Sequence, residues 1–156
     1  ILGSEATPES KQSRFWTSQN DDKYGLTLRE TEYKASDGKE YFLEYISPKD
    51  ETLFALLRLR FPSYLFQKQK PPFKELEGAA IVRELHTYGL ALEIGKKSKP
   101  SAQHKGLGQR LLLRAEEITK KAGYKKLAVT SGIGAKEYYK KFGYKLSGSY
   151  MVKNLN

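Results

Sequence analysis

Alternating apolar and polar side chains predict a series of β-strands in the first half of the chain. Residues 26–31 alternate strictly, and Asp37-Gly38 is a dipeptide typical of hairpin turns. Residues 41–46 predict a second strand. Residues 52–61 predict a longer one, in which one face carries Leu53, Ala55, Leu57 and Leu59. The pattern therefore predicts three antiparallel strands in meander order.

Helical periodicity is confined to the second half of the chain. Six apolar side chains recur at helical spacing in residues 106–122, and Gly123 follows as a stop signal. A second helix is predicted at 134–142, ending at Gly143. The remaining segments read as strands at 78–87, 126–130 and 144–152, and as a loop with one short helical turn at 62–77. A strand, a helix and a parallel strand in succession imply a right-handed crossover. The predicted fold class is α+β, with a mixed, mostly antiparallel sheet flanked by helices.

The amino-acid composition limits the classes of protein to which this chain can belong. The chain has 156 residues, which suits one domain, and its first 25 residues are polar enough to predict a linker or tail before a domain at 26–156. Cysteine is absent, which excludes disulfides, Cys-ligated zinc, iron–sulfur clusters and a thiol nucleophile in this chain. With two histidines, no metal site is expected. No apolar run approaches the roughly 18 residues of a membrane span, so we expect a cytoplasmic protein with no membrane partner.

The net charge of +10 suggests an anionic partner. Nucleic acid, a phosphorylated cofactor and an acidic protein surface are each anionic and could be this partner. Solubility alone would also explain much of the charge.

The segment with the most specific chemistry is Gln103-His104-Lys105-Gly106-Leu107-Gly108, which lies directly before the predicted helix. Glycines let the backbone approach a ligand, and the first amides of a helix bind phosphate oxygens. Lys105 and Arg110 add positive charge. The segment lacks the Gly-Lys-Ser/Thr of a Walker loop and the third glycine of the dinucleotide fingerprint. A plain glycine-rich turn remains the alternative.

The pattern Gln-x-x-Gly-x-Gly resembles the acetyl-CoA pyrophosphate loop of the GNAT acetyltransferases. The segment from Tyr139 to Tyr144 is similar to that family's Tyr-x-x-x-Gly-Phe/Tyr segment, whose Tyr protonates the departing thiolate. The resemblance implies that pantetheine adds alongside the strand that contains residues 83–89, where Glu84 or His86 could act as general base. In the alternative interpretation, Glu84 pairs with a basic neighbour, and Tyr138 or Tyr139 belongs to the core.

Residues 26–156 resemble, more narrowly, the acetyltransferase domain of the Elongator catalytic subunit and its archaeal and bacterial relatives. The resemblance rests on several segments in the same order, at 38–43, 57–60, 81–89, 102–108 and 131–153. It implies acetyl-CoA as acetyl donor and tRNA as partner, with modification of the wobble uridine. The family's radical domain, which uses S-adenosylmethionine and an iron–sulfur cluster, is not expected in this chain. That domain, or other Elongator subunits, would be partners.

Carried over by position, the resemblance implies a set of cofactor contacts: Glu84, Leu85, His86, Thr87, Gln103, His104, Lys105, Gly106, Leu107, Gly108, Gln109, Arg110, Tyr138 and Tyr139. The catalytic candidates among them are Tyr139, Glu84 and His86. Thr87 stands where relatives usually have an aliphatic residue. The best candidates for RNA binding are Lys96, Lys97 and Lys99. Two other functions remain open, namely a protein lysine N-acetyltransferase and a non-catalytic RNA-binding module.

Overall fold

The computed structural model describes residues 11–16 (backbone), 25–67, 69–88, 106–132 and 135–156. The strands are β1 (Lys11–Trp16), β2 (Thr27–Ala35), β3 (Gly38–Ile46), β4 (Leu53–Phe61), β5 (Ala79–Thr87), β6 (Lys126–Thr130), β7 (Lys145–Ser147) and β8 (Tyr150–Asn154). The helices are α1 (Leu107–Lys121) and α2 (Lys136–Lys140), with 3-10 turns at Ser63–Leu65 and Lys74–Leu76. No helix in these ranges is long and apolar enough to cross a membrane.

The described strands form one sheet in the order β1-β2-β3-β4-β5-β6-β8-β7. Within it β5 and β6 run parallel, and the other neighbours pair antiparallel. The predicted meander of β2, β3 and β4 and the mixed, mostly antiparallel sheet are confirmed. Helix α1 matches its predicted bounds to within one residue. It begins after Gly106 and is followed by Ala122 and Gly123.

The hairpin between β2 and β3 is present, but its turn is placed one residue earlier than the dipeptide suggests. The two central residues are Ser36 and Asp37, with φ of 48° and 59°, and Gly38 already pairs with Ala35. Gly38 is needed for another reason. A Cβ there would lie 2.5 Å from the carbonyl oxygen of Phe61, so this glycine lets β3 pass close to the end of β4.

Four other segments differ from the prediction. Lys11–Trp16, within the predicted linker or tail, is an edge strand that pairs antiparallel with β2. Backbone pairing at an edge requires no apolar alternation, so the sequence pattern did not show it. The predicted strand at 144–152 is a hairpin of β7 and β8 around Gly148, whose φ is +58°. The predicted helix at 134–142 is reduced to α2, and the loop at 62–77 contains two 3-10 turns instead of one.

The two faces of the sheet differ in character. Helix α1 packs on one face, over a continuous core that includes Leu43, Leu57 and Val82. On the other face a smaller apolar cluster around Leu76, Ala79 and Ala128 covers the β5, β6 and β8 end. The rest of that second face, on β2 to β5, carries charged side chains and one histidine: Arg29, Glu40, Glu44, Arg58, Arg60, Arg83, Glu84 and His86. We call this region the polar face.

A single buried carboxylate organises the polar face. Glu40 is 4 % exposed, and it accepts a hydrogen bond from the Tyr33 hydroxyl at 2.5 Å. Arg58 and Arg60 each place a guanidinium nitrogen 3.3 Å from it, and Arg83 lies 3.7 Å away. Burial by itself would raise the pKa of Glu40, but the hydrogen bond from Tyr33 and the arginine charges outweigh burial and lower it. Glu40 is therefore ionised in the folded protein.

We expect Glu40→Gln to lower the free energy of unfolding by about 3 kcal/mol, because removing one partner leaves the buried arginine charges uncompensated. The measurement is urea unfolding at pH 7. Glu32→Gln, which breaks the partly exposed pair with Lys39 on the same hairpin, is the matched control and should cost less than about 1 kcal/mol.

The difference between the two variants should also depend on pH. The pKa of Glu40 is lower in the folded state, so its contribution is present above the unfolded value of about 4.3. It is lost as the pH falls through the lower folded-state pKa. Equal stabilities of Glu40→Gln and Glu32→Gln at pH 7 would contradict the role given to Glu40.

Candidate functional site

An opening between two parallel strands forms the centre of the site. Strand β5 pairs with β6 over four residues and the last pair joins Val82 to Val129. Residues 84–87 of β5 continue to pair with β4 on their other side, but they have no partner on β6 in the described part of the chain. A strand edge with free N–H and C=O groups can bind an extended amide-containing ligand by strand-like hydrogen bonds.

A β-bulge lies where the opening begins. Leu59 pairs with Val82 and Arg58 pairs with Glu84, so Arg83 is the extra residue of β5. A bulge bends its strand and shifts the alternation of the side chains by one. After the bulge Leu85 pairs with the core residue Leu57 and packs against the core below α1.

The shifted alternation places the four β5 candidates on two different faces. Leu85 and Thr87 lie on the α1 side, whereas Glu84 and His86 lie on the polar face. The backbone groups of all four residues could contact a bound ligand, but the four side chains do not point toward one place.

Glu84 and His86 contact each other on the polar face. One carboxylate oxygen of Glu84 lies 3.1 Å from Arg58 and the other lies 3.5 Å from the His86 Nε2. The His86 ring stacks on Tyr88, with centroids 6.2 Å apart. The side chains of Glu84 and His86 are 41 % and 54 % exposed. The expectation that Glu84 pairs with a basic neighbour is met by Arg58, and both side chains stay accessible to an acceptor.

The first turn of α1 closes the α1 side of the opening. Gly106 precedes the helix with a φ of +89°, and Gly108 is buried in the first turn. A Cβ on Gly108 would collide with the Tyr138 hydroxyl and would come 3.2 Å from the Thr87 methyl. The end of β5, the start of α1 and α2 therefore meet at Gly108.

The structure gives different surroundings to the rest of the predicted loop. Leu107 is 2 % exposed in the core, so a contact with a ligand would use its backbone. Gln109 is exposed, and the Arg110 guanidinium lies over the Tyr45 ring at 4.7 Å. Gln103, His104 and Lys105 fall outside the described residues, as do Lys96, Lys97 and Lys99.

The two tyrosines of α2 are in different positions. Tyr139 is 6 % exposed, and its ring contacts Tyr138 and Tyr144 in the core. Burial raises the pKa of Tyr139 to about 12. Tyr138 is less buried, with its hydroxyl at Gly108, and burial also raises its pKa. The expectation that at least one of them is a core aromatic is confirmed for Tyr139. Both phenols keep their protons well above neutral pH, which a proton donor needs.

Ser131 is a candidate that the sequence did not single out. It follows the last residue of β6, beside the opening, and its buried hydroxyl has no hydrogen-bond partner within the described ranges. A buried hydroxyl without a partner costs about 1–3 kcal/mol, so a polar group of a bound ligand would be favoured there. A serine directly after a buried strand was the available signal, but such serines are too common to be diagnostic.

Comparison with known proteins agrees with this architecture. A family model described as an acetyltransferase (GNAT) domain matches residues 99–155. The chain is 45% identical over 133 residues to the tRNA uridine(34) acetyltransferase of Dehalococcoides mccartyi, covering 83% of this chain and 28% of that protein. It is 44% identical over 133 residues to Elongator complex protein 3 of Danio rerio, covering 85% and 24%. The chain thus spans about a quarter of the length of these relatives.

A solved structure gives the same result. The archaeal Methanocaldococcus infernus Elp3 with an N-terminal deletion superposes with a TM-score of 0.71 at 41% identity, covering 86% of this chain and 31% of that one. The predicted GNAT fold and the resemblance to the Elongator acetyltransferase domain are both confirmed.

We expect Gly108→Ala to destabilise the protein by about 1–2 kcal/mol, because the added methyl group overpacks the contact with Tyr138 and Thr87. Helix propensity alone would favour alanine by about 1 kcal/mol, so the sign of the effect is informative. The measurement is urea unfolding, with the exposed Gln109→Ala as the control in the same helical turn.

A second substitution tests the cause. Tyr138→Phe removes the hydroxyl that the new methyl would meet, so the double variant Gly108→Ala/Tyr138→Phe should be more stable than the two separate effects predict. Strict additivity of the two free-energy changes would show that Tyr138 is not the obstacle.

Proposed function

We propose that this chain, which has the GNAT fold and resembles part of its Elongator relatives, binds acetyl-CoA and supplies the acetyl group in an Elongator-type tRNA uridine-modifying enzyme. The observation that carries the proposal is the opening between β5 and β6, which lies beside the first turn of α1. A free strand edge suits the amides of pantetheine, and an uncapped helix start suits a pyrophosphate. The chain has both at one place.

The pyrophosphate site is assigned to the start of α1. Gly106 is the N-cap residue, and within the described ranges no side-chain cap hydrogen bond is made there, so the first amides of the helix could bind phosphate oxygens. The lack of a Cβ at Gly108 lets Tyr138 and Thr87 pack directly against this first turn. Residues 103–105 would complete this loop, with positive charge from Lys105 and Arg110.

The thioester site is assigned to residues 84–87 of β5, which pair with β4 but have no partner on the β6 side among the described residues. A backbone N–H of residues 84–87 would polarise the thioester carbonyl in the manner of an oxyanion donor. Ser131, across the opening at the end of β6, would hydrogen-bond an amide of the pantetheine arm. Glu84 or His86 would act as general base toward an acceptor that carries a proton.

Tyr139 is assigned as the proton donor. As the acceptor bonds to the acetyl carbon, the carbon–sulfur bond breaks, its electron pair remains on sulfur, and Tyr139 passes its phenolic proton to that sulfur. The phenol then regains a proton from solvent. Water would be the acceptor for the isolated domain, which gives slow hydrolysis to acetate and CoA.

The whole reaction of the longer relatives would need more than this chain. The tRNA would be the partner, and a uridine of that tRNA would be the acceptor in the complete enzyme. The radical domain would supply S-adenosylmethionine and iron–sulfur chemistry, which this cysteine-free chain cannot hold. Such an enzyme would work in the cytoplasm. The net charge of +10 disfavours a basic peptide as acceptor, which weakens the alternative of a protein lysine N-acetyltransferase.

We expect Tyr139→Phe to slow acetyl-CoA cleavage by about a hundredfold, the lower end of general acid contributions, while leaving the dissociation constant for acetyl-CoA within a factor of about two. Release of the CoA thiol gives the rate, and calorimetric titration with a non-hydrolysable analogue gives the affinity.

Tyr150→Phe on β8, on the face away from α1, removes a similar hydroxyl and serves as the control. An unchanged rate in Tyr139→Phe together with a slow Tyr138→Phe would transfer the role to Tyr138. The absence of acetyl-CoA binding by the unaltered chain would overturn the proposed function itself.

A further inference from the structure

The polar face carries a concentration of guanidinium groups. Arg58, Arg60 and Arg83 all lie within 4 Å of the one carboxylate of Glu40. Arg58 also contacts Glu84, and Arg29 contacts Glu44 at 3.1 Å. Glu51 also lies 3.7 Å from Arg29, so the four arginines of this face contact four glutamates. The most accessible of the arginines, Arg83, is the one least engaged by carboxylates.

Arg83 is that accessible residue. Its side chain is 52 % exposed, and its contact with Glu40 is 3.7 Å, longer than a hydrogen bond. Glu40 already receives closer contacts from Arg58, Arg60 and Tyr33. Most of the five N–H donors of Arg83 therefore face solvent, in a geometry suited to two oxygens of a phosphate.

Flat aromatic rings lie beside these arginines. The guanidinium of Arg58 is 5.8 Å from the centre of the Phe42 ring, and Phe42, Arg58 and Glu84 are neighbours in register across β3, β4 and β5. His86 and Tyr88 form a stacked pair further along β5, and Tyr88 is 46 % exposed. Exposed rings next to guanidinium groups are typical of surfaces that bind single-stranded nucleic acid, where bases stack and phosphates pair.

Arg83 lies where the opening between β5 and β6 begins, so the polar face reaches the proposed reaction site at this residue. Val82 makes the last pair with β6, and Arg83 is the next residue. A phosphate held by Arg83 would therefore place its nucleotide on the polar face at the mouth of the opening, close to Glu84 and His86.

We infer that the polar face is the docking surface for single-stranded RNA, with Arg83 binding a backbone phosphate and Tyr88 stacking on a base. The inference rests on the proposed function, because it assigns the acceptor to the face opposite α1 and the cofactor to the α1 side. An acidic peptide would satisfy the arginines, but it would leave the stacked rings of His86 and Tyr88 without a planar partner.

The test measures RNA affinity by fluorescence anisotropy, with the full chain and a labelled RNA hairpin that has a single-stranded, uridine-containing loop. Arg83→Gln should weaken binding about tenfold and reduce the dependence of log affinity on log salt concentration by about 0.7–1, the loss of one phosphate contact. Tyr88→Ala should weaken binding by a similar factor without changing the salt dependence, because stacking releases no counterions.

The control is Lys121→Gln, which removes the same charge from the exposed C-terminal end of α1 and should change the affinity less than twofold. If Arg83→Gln and Lys121→Gln weaken binding equally, the attraction is diffuse and the inference is wrong. Failure of the unaltered chain to bind the hairpin, or equal binding of a polyglutamate peptide that depends on Arg83, would also overturn it.

Calorimetry with acetyl-CoA separates this outcome from that of the proposed function. Arg83→Gln should bind acetyl-CoA as the unaltered chain does, because its side chain lies on the other face. Normal acetyl-CoA binding with RNA binding insensitive to Arg83 would refute the RNA surface alone.

Discussion

The parallel pairing of β5 with β6 ends after four residues, and the rest of the site depends on that ending. A complete ladder would occupy the backbone groups of residues 84–87 and would leave no edge for a ligand. The bulge at Arg83 accounts for the early ending, because it adds a residue and bends β5 while its pairing with β4 continues. The chain runs from β5 through α1 to β6, so helix α1 lies beside the gap between these two strands.

The same bulge determines on which face of the sheet each side chain of residues 84–87 lies. Without the extra residue, Glu84 would point into the core under α1, where an unpaired carboxylate would be strongly disfavoured. With it, Glu84 reaches Arg58 on the polar face and Leu85 takes the buried position opposite Leu57. Glu40 in turn holds Arg58 and Arg60 in place. The ion-pair network and the proposed acceptor surface are thus made from the same residues.

The sequence predicted the elements whose side chains carry a periodic pattern. Helix α1 and the meander of β2 to β4 were found because each buries one face and exposes the other. Strand β1 was missed because an edge strand is held by backbone hydrogen bonds, and the hairpin of β7 and β8 because Gly148 interrupts a continuous pattern. In the candidate site, the glycines at 106 and 108 predicted the turn into α1, which is confirmed, whereas its role as a binding loop stays a prediction. The sequence did not predict that Glu84 and His86 lie on one face of the sheet and Leu85 and Thr87 on the other. A β-bulge cannot be recognised from the spacing of residues.

The two faces meet at a single strand, and this limits how a reaction could proceed. On the α1 side the glycine at 108, Thr87 and Tyr138 are in close contact, so an acceptor has little room to enter there once a cofactor is bound. On the polar face Glu84, His86 and Arg83 are all substantially exposed. An acceptor would therefore approach from the polar face and meet the acetyl group through the gap beside residues 84–87. In that arrangement the residues that recognise the acceptor and those that hold the cofactor are separated by one strand, so each set could change without rebuilding the other.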